Sequence, residues 1–201
     1  MSPTVVRVSD VTPVPWRNGG GLTRELLAWP DPNDWLLRVS VAEILKSGAF
    51  SSYPGVDRWF AVLDGGAVRL ATAGAEPVEL SASEPALHAF SGDESTQCTA
   101  LGAVTRDFNL MARRGRVRLR QQSLLTQPEL ATEAEGVGVF VVRATELRGD
   151  RDSVWQLPDL TLAWWTNPER RRLSLQLAST AKRGWWFEID TDLGRAPAGA
   201  P

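Results

Sequence analysis

The sequence has only one cysteine and one histidine, and this scarcity excludes several kinds of site. With Cys98 alone, no intramolecular disulfide can form, and zinc sites built from four cysteines or from two cysteines and two histidines are excluded. With His88 alone, a metal site with several histidine ligands is excluded, and so is any mechanism that uses two histidines. We therefore expect neither a disulfide framework nor a histidine-rich metal centre.

The chain of 201 residues also lacks a strong net charge and a long apolar run. It has 22 lysines and arginines and 24 aspartates and glutamates, so the net charge is -2 and general nucleic-acid binding is disfavoured. No run approaches the roughly 18 apolar residues that a membrane span needs, and the N-terminus lacks the apolar segment of a secretory signal. These features predict a cytoplasmic protein with no nucleic-acid and no membrane partner.

Short strands separated by turn residues dominate the sequence. Residues 35–41 alternate between two faces, which is typical of a strand, and residues 59–70 indicate a hairpin that turns at Asp64-Gly65-Gly66. The one helical candidate is a turn over residues 126–134, where Pro128 suits an early helical position. The pattern predicts an all-β sandwich or barrel.

No long linker divides the chain, and strand signals are about equally dense on both sides of residue 111. We therefore predict two tightly packed β halves, residues 1–112 and 113–190. A tail over residues 191–201, rich in glycine, proline and alanine, is expected to fray.

Polar and aromatic residues surround three successive glycines near the N-terminus. Trp16, Arg17 and Asn18 precede Gly19-Gly20-Gly21. The segment is not a P-loop, because no lysine follows the glycines. One interpretation is a turn between edge strands, and the other is part of a ligand site, since a guanidinium and an amide can both bind a polar ligand.

Two further clusters place polar side chains together on predicted strand faces. Arg38 and Ser40 share one face, and Asp107, Asn109 and Met111 share another, because alternate residues of a strand point the same way. Asp57-Arg58 lies just before a strand, where a surface ion pair is the structural alternative. An arginine inside a small barrel needs a carboxylate or an acidic ligand beside it.

These clusters, in their order along the chain, resemble the HutD/Ves family over roughly residues 6–115. The stretches that carry the resemblance are Trp16–Thr23, Gly48–Ser51 with Tyr53–Arg58, Phe90–Asp93 and Asp107–Met111. The resemblance implies a cupin fold with two β-barrel halves in one chain, a bicupin. It also implies a regulatory or ligand-sensing role in histidine utilisation, as suggested for HutD members, or a link to cold and stress responses, as for Ves members. No enzymatic activity is established for the family.

Many cupins are metalloenzymes that bind the metal with two or three histidines and a glutamate. This chain has only His88 and no acidic cluster with ligand spacing, so we predict no metal and no cofactor. His88 lies in an apolar strand pattern and is expected to be packed rather than catalytic. Cys98 is expected to be a small buried residue.

Three functional hypotheses remain open. The first is a binding protein for a small carboxylate-bearing metabolite, with Arg38 or Arg17 holding the carboxylate. The second is a metal-independent isomerase or hydrolase that uses Glu43, Asp57 or Asp107 as general base. The third is an interaction role for the tryptophan-rich second half, and a homodimer is compatible with each. The predicted pocket is lined by Trp16, Arg17, Asn18, Arg38, Ser40, Phe50, Asp57, Arg58, Asp107, Asn109 and Met111.

Overall fold

The structure, a computed structural model, describes residues 1–83, 86–150, 152–178 and 183–191. The all-β prediction is confirmed: these residues form nineteen strands, and their single helix is the three-residue 3-10 helix Val8–Asp10. None of the described segments forms a helix long and apolar enough to cross a bilayer.

The chain divides into two compact units. The first unit is Val8–Arg114, and the second combines Met1–Arg7 with the residues from Gly115 onward. The strands of the first unit are β2 (Val14–Pro15), β3 (Gly21–Trp29), β4 (Leu37–Ile44), β5 (Gly48–Ala49), β6 (Val56–Asp64), β7 (Val68–Thr72), β8 (Val78–Leu80), β9 (His88–Ser91), β10 (Thr96–Ala100) and β11 (Thr105–Arg113).

Two antiparallel sheets build the first unit. One has the strand order β2-β3-β4-β11-β6-β9, and the other has the order β5-β10-β7-β8. Alternate residues of each strand face the opposite sheet, and the apolar ones form a core between the sheets that includes Ile44, Phe60, Val62, Val68, Leu70 and Cys98.

The register of the larger sheet brings polar residues together next to this core. Ser40 of β4 lies between Asn109 of β11 and Glu25 of β3. Met111 lies between Arg38 and Arg58 in the same way. Because directly paired residues of adjacent strands point to the same face, these side chains share the inner face with Phe60.

The second unit is also a pair of antiparallel sheets, but its interior is filled with apolar side chains. Val139, Trp165 and Trp186 come from one sheet and Leu147 and Leu175 from the other, and all are almost fully buried. The sheet orders are β1-β17-β14-β19-β12 and β13-β18-β15-β16. The strands are β1 (Thr4–Arg7), β12 (Arg118–Ser123), β13 (Glu129–Thr132), β14 (Gly136–Val141), β15 (Thr145–Gly149), β16 (Val154–Leu157), β17 (Thr161–Thr166), β18 (Leu173–Leu177) and β19 (Gly184–Asp190).

The structure corrects the helical turn predicted for residues 126–134. Residues Glu129–Thr132 form strand β13, which pairs with β18. Leu130 and Thr132 are buried, whereas Glu129 and Ala131 are exposed. This period of two is that of a half-buried strand, and it outweighs the helix-initiating preference of Pro128.

Strand β1 and the residues that directly follow it belong to different units. Thr4–Arg7 pairs with β17 and therefore lies in the second unit. The domain boundaries 1–112 and 113–190 remain a prediction, and residues 192–201 of the predicted tail lie outside the described residues.

The paired tryptophans of the second unit alternate between two faces, as expected for neighbours on a strand. Trp165 and Trp186 belong to the core between the sheets. On the other face, Trp164 stacks on Phe187 with 6.1 Å between ring centroids. Trp185 is buried as well. All four tryptophans of the two pairs are therefore buried, and they do not form an exposed aromatic surface.

Candidate functional site

The first unit contains a cavity of about 600 Å³ beside the inner face of its larger sheet. A volume of this size suits a small organic ligand. The lining includes ten of the eleven residues of the predicted pocket: Trp16, Arg17, Asn18, Arg38, Ser40, Phe50, Arg58, Asp107, Asn109 and Met111. It therefore combines apolar walls with a small number of convergent polar groups.

The three glycines form the turn that joins β2 to β3 and shape one wall of the cavity. The Trp16 amide donates to the Gly21 carbonyl at 2.9 Å, which closes the turn. At Gly21, a Cβ atom would lie 2.4 Å from the carbonyl oxygen of Glu43 and 3.0 Å from the Trp16 ring. Only glycine allows this close approach, which lets the Trp16 indole donate to Thr23 Oγ1 at 2.7 Å.

Arg58 is a buried cation in this cavity, with 5% of its surface exposed. Its Cζ atom lies 5.3 Å from the ring centre of Phe50, 5.5 Å from that of Tyr53 and 4.7 Å from that of Phe90. Its Nη2 donates to Asn109 Oδ1 at 3.1 Å, and its Nη1 donates to the Ser51 carbonyl at 3.4 Å.

No ion pair joins Arg58 to a carboxylate among the described residues, and its Nε has no hydrogen-bond partner among them. Burial lowers the pKa of the guanidinium to about 10. The guanidinium therefore stays charged at neutral pH, and its charge is only partly compensated by aromatic rings and neutral acceptors.

Asn109 links Arg58 to the buried carboxyl group of Asp107. The Asn109 Nδ2 atom donates to Asp107 Oδ1. Asp107 is 1% exposed, and burial raises its pKa well above the ordinary value, although the bond from Asn109 and the charge of Arg58 act in the opposite direction. Its Oδ2 atom has no partner among the described residues.

Arg38, in contrast, has an acidic partner of its own. Its Nε donates to Glu25 Oε2 at 2.6 Å, and its Nη1 donates to the Tyr53 hydroxyl at 3.4 Å. The inner position of Arg38 was predicted, and Glu25 supplies the neutralising carboxylate. Arg58 rather than Arg38 is therefore the buried arginine of the cavity that has no acidic partner within the described part of the chain.

Asp57 is the predicted pocket residue that the structure places elsewhere. It precedes Arg58 in strand β6, so its side chain points to the other face, where it accepts from Arg114 Nε at 2.7 Å. Arg114 also binds Asp93, whose Oδ1 accepts from the Gly55 amide at 2.7 Å. These bonds lower the pKa of Asp93, and they hold the loop over residues 51–55 that covers Arg58.

Sequence reasoning missed four polar residues of the lining: Thr23, Glu25, Ser51 and Tyr53. The parity of β3 provides a signal for Glu25, because Thr23 and Glu25 share a face, although a register shift after Glu25 weakens the pattern. Tyr53 lies in a loop between β5 and β6, where no periodicity shows the direction of a side chain.

The structure places His88 and Cys98 outside this lining. His88 is half-buried and stacks on Phe90, with 6.0 Å between ring centroids, and burial lowers its pKa. Cys98 is buried in the core, and burial raises the pKa of its thiol to about 12. Such a thiol is a poor nucleophile near neutral pH.

The donor groups of the cavity do not fit a divalent metal ion. Three arginines and two carboxylates line it, and one of those carboxylates, that of Glu25, is bound to Arg38. Among the described residues, no group of three or more histidines, cysteines, aspartates or glutamates is placed to hold a metal. A site dominated by cations is suited to an anion instead.

Comparison with solved structures establishes the fold. The chain resembles an oxalate decarboxylase from Lactobacillus farciminis with a TM-score of 0.61, at 10% identity over 95% of this chain and 86% of that one. It resembles the structure of HutD from Pseudomonas fluorescens SBW25 with a TM-score of 0.78, at 26% identity over 94% and 98% of the two chains. The fold is therefore a cupin-like double β-barrel, as predicted.

Comparison of sequences establishes the family. The chain is 34% identical to the protein Ves of Cronobacter sakazakii over 78% of this chain and 84% of that protein. It is 36% identical to an uncharacterized 21.2 kDa protein in the hutC 3' region of Pseudomonas putida, over 68% and 72% of the two chains. The sequence model of the HutD family matches residues 8–183. The chain therefore belongs to the HutD family.

Proposed function

We propose that the cavity of the first unit binds a small metabolite that carries a carboxylate, and that Arg58 holds this carboxylate. The observation that carries the proposal is the buried Arg58 guanidinium without an acidic partner among the described residues. Burying an unpaired charge is costly, and a bound anion would offset this cost. The guanidinium also provides paired N–H donors that match the geometry of a carboxylate.

The remaining lining suits the body of such a ligand. Trp16 and Phe50 meet edge to face, with 6.3 Å between ring centroids, and provide an apolar wall. Asn18 and Asn109 offer amide groups that could fix the ligand's orientation. Arg17 is exposed, and it adds positive charge that would attract an anion to the cavity.

The relatives suggest which acids to test. One relative is a protein in the hutC 3' region of Pseudomonas putida, and the HutD structure from Pseudomonas fluorescens SBW25 is one of a formate condition. By analogy, the candidate ligands are acids of histidine utilisation, similar to urocanate or N-formylglutamate. Binding of such an acid would support a regulatory role in that pathway or, as for Ves, in a stress response.

Isothermal titration calorimetry with urocanate, N-formylglutamate and formate tests this proposal. We expect the wild-type protein to bind at least one of these acids, and Arg58→Met to bind none. In a thermal-shift assay, a ligand at a concentration of 100 Kd should stabilise the wild type by about 2.7 kcal/mol. The matched control is Arg69→Met, because Arg69 is exposed on β7 and pairs with Glu79. Binding that is the same in Arg58→Met and in the control would refute the proposal.

A second candidate function is a metal-independent isomerase or hydrolase that acts on a small acid. Of the three proposed bases, Glu43 is bound to Arg24 and Asp57 to Arg114, whereas Asp107 lines the cavity and has a raised pKa. A buried carboxyl with a raised pKa is suited to proton transfer. NMR of each acid incubated with the protein in D2O is the test: deuterium incorporation or a new product, lost in Asp107→Asn, would support catalysis.

A further inference from the structure

Three buried side chains form a directed hydrogen-bond chain at the base of the site. The Arg58 guanidinium donates to the oxygen of the Asn109 amide, and the nitrogen of that amide donates to Asp107. The orientation of the amide is fixed, because a flipped Asn109 would turn its NH2 group towards a cation that only donates. Asn109 therefore separates the guanidinium from the carboxyl group and binds both.

One oxygen of Asp107 is left without a partner by this arrangement. Asp107 is flanked on its two neighbouring strands by Ala42 and Val62, so the adjacent positions provide no polar side chain. Oδ1 accepts from Asn109, and Oδ2 is buried without a partner among the described residues. Burial raises the pKa of Asp107 and so favours the protonated carboxyl group, and its proton belongs on Oδ2 because Oδ1 already accepts a hydrogen bond.

We propose that Asp107 acts as a hydrogen-bond donor in ligand recognition, giving the proton on Oδ2 to an oxygen of the carboxylate ligand that Arg58 holds. The proposal rests on the function proposed above and extends it. The ligand group that faces Asp107 Oδ2 must then accept a hydrogen bond. A carboxylate, which offers only acceptor oxygens, is therefore preferred to a carboxamide. It also makes binding depend on pH, because an ionised Asp107 would repel the same carboxylate.

The variant Asp107→Asn separates the titration of Asp107 from that of the other charged or titratable groups around it. Cys98 has a pKa of about 12 and Arg58 a pKa of about 10, so neither changes charge appreciably between pH 6 and pH 9. Burial lowers the pKa of His88, and His88 does not line the cavity. The groups on the surrounding elements are Arg58 on β6, Arg38 on β4, Glu25 on β3, Cys98 on β10, His88 on β9 and Tyr53 in the loop after β5.

Infrared spectroscopy tests the protonation of Asp107 without any ligand. A protonated carboxylic acid has a C=O stretching band that is separate from the bands of a carboxylate. We expect this band at pH 7 in the difference spectrum between the wild type and Asp107→Asn, and we expect its loss at high pH. If the spectrum shows an ionised Asp107 at pH 7, the inference is overturned, even if Arg58 binds a carboxylate.

Calorimetry with formate and urocanate from pH 6 to pH 9 tests the role of this proton in binding. For the wild type, the Kd should rise by about tenfold per pH unit once Asp107 ionises. In Asp107→Asn, the amide keeps a donor that does not titrate, so the Kd should stay constant over this interval. In Asp107→Leu, which has no donor, the Kd should rise about tenfold or more.

The failures of the two proposals can be distinguished. Loss of binding in Arg58→Met at every pH supports the carboxylate site. A wild-type Kd that stays constant across the pH at which the infrared band of the protonated carboxyl group disappears, or a pH dependence that persists in Asp107→Asn, overturns the role of Asp107 and leaves the site intact. If none of urocanate, N-formylglutamate and formate binds to the wild type, the carboxylate site itself is wrong, together with the role of Asp107 in it.

Discussion

Replacing Asp107 by asparagine should make the protein more stable at neutral pH and change its stability little near pH 4. The side chains are nearly isosteric, and the asparagine oxygen can accept the hydrogen bond that Asn109 donates to Asp107 Oδ1. The substitution therefore removes an ionisable group and leaves its packing and its known hydrogen bond in place. The comparison isolates the cost of burying a carboxyl group in the cavity of a HutD-family protein.

The size of the effect follows from the difference in proton binding between the folded and unfolded states. In the unfolded chain, Asp107 ionises near pH 3.9, whereas burial raises the pKa of the folded state well above its ordinary value. Between these two pKa values the folded state holds one more proton, so wild-type stability falls as pH rises. The slope is about 1.4 kcal/mol per pH unit. Asp107→Asn does not lose stability in this way. The difference in unfolding free energy between the variant and the wild type therefore grows with pH until Asp107 ionises in the folded wild type.

Urea unfolding at a series of pH values from 4 to 9, followed by tryptophan fluorescence, measures this difference. The matched control is Asp93→Asn, because the pKa of Asp93 is lowered by bonds from Gly55 and Arg114. Its carboxylate stabilises the protein above the unfolded pKa and loses this effect as pH falls. The control should therefore be less stable than the wild type at neutral pH, which is the opposite sign. Parallel stability curves for Asp107→Asn and the wild type would refute the reasoning.

Three other predictions concern residues that surround the cavity without lining it. In thermal denaturation, Gly21→Ala should destabilise the protein by about 1–3 kcal/mol, because the added Cβ would lie 2.4 Å from the Glu43 carbonyl oxygen. The control Gly48→Ala should be nearly neutral in the same assay, because no atom lies closer than 3.9 Å to its added Cβ. Phe60→Ala, in the core beneath the cavity, should cost about 3–5 kcal/mol of unfolding free energy in urea. Asp93→Ala should accelerate amide exchange at Gly55, since it removes the carboxylate that accepts from that amide, and unchanged exchange would show that the loop is held by other bonds.

The sequence predicts the fold well because its main signal is short-range alternation. Residues 35–41 were expected to form a strand, and strand β4 covers Leu37–Ile44. The turn expected at Asp64-Gly65-Gly66 lies between β6 and β7, but the predicted hairpin is wrong, because β6 pairs with β11 and β9 in the larger sheet whereas β7 pairs with β10 and β8 in the other sheet. The helical turn predicted for residues 126–134 is wrong because the alternation of the few apolar residues in this segment outweighs the helix preference of Pro128.

The lining of the cavity was largely predictable because parity along a strand shows which residues share a face. Arg38 with Ser40, and Asp107 with Asn109, follow from this rule. The same rule would have excluded Asp57 once Arg58 was assigned to the inner face, because neighbours on a strand point in opposite directions.

Pairings between strands and loops could not be obtained in this way. The sequence indicated an arginine that needs an acidic partner, but it did not show which arginine lacks one. Glu25 reaches Arg38 across two paired strands, whereas Arg58 is covered by aromatic rings from a loop and from β9. Such contacts depend on register and loop conformation, which local patterns do not encode.

The most direct test of the carboxylate site is a crystal structure of the protein with bound urocanate, whose planar shape makes its orientation readable in electron density. The account predicts urocanate in the cavity of the first unit, with its carboxylate against the Arg58 guanidinium and one carboxylate oxygen within hydrogen-bond distance of Asp107 Oδ2. Urocanate bound outside the cavity, or with its carboxylate on Arg38 while Arg58 contacts no part of it, would contradict the account.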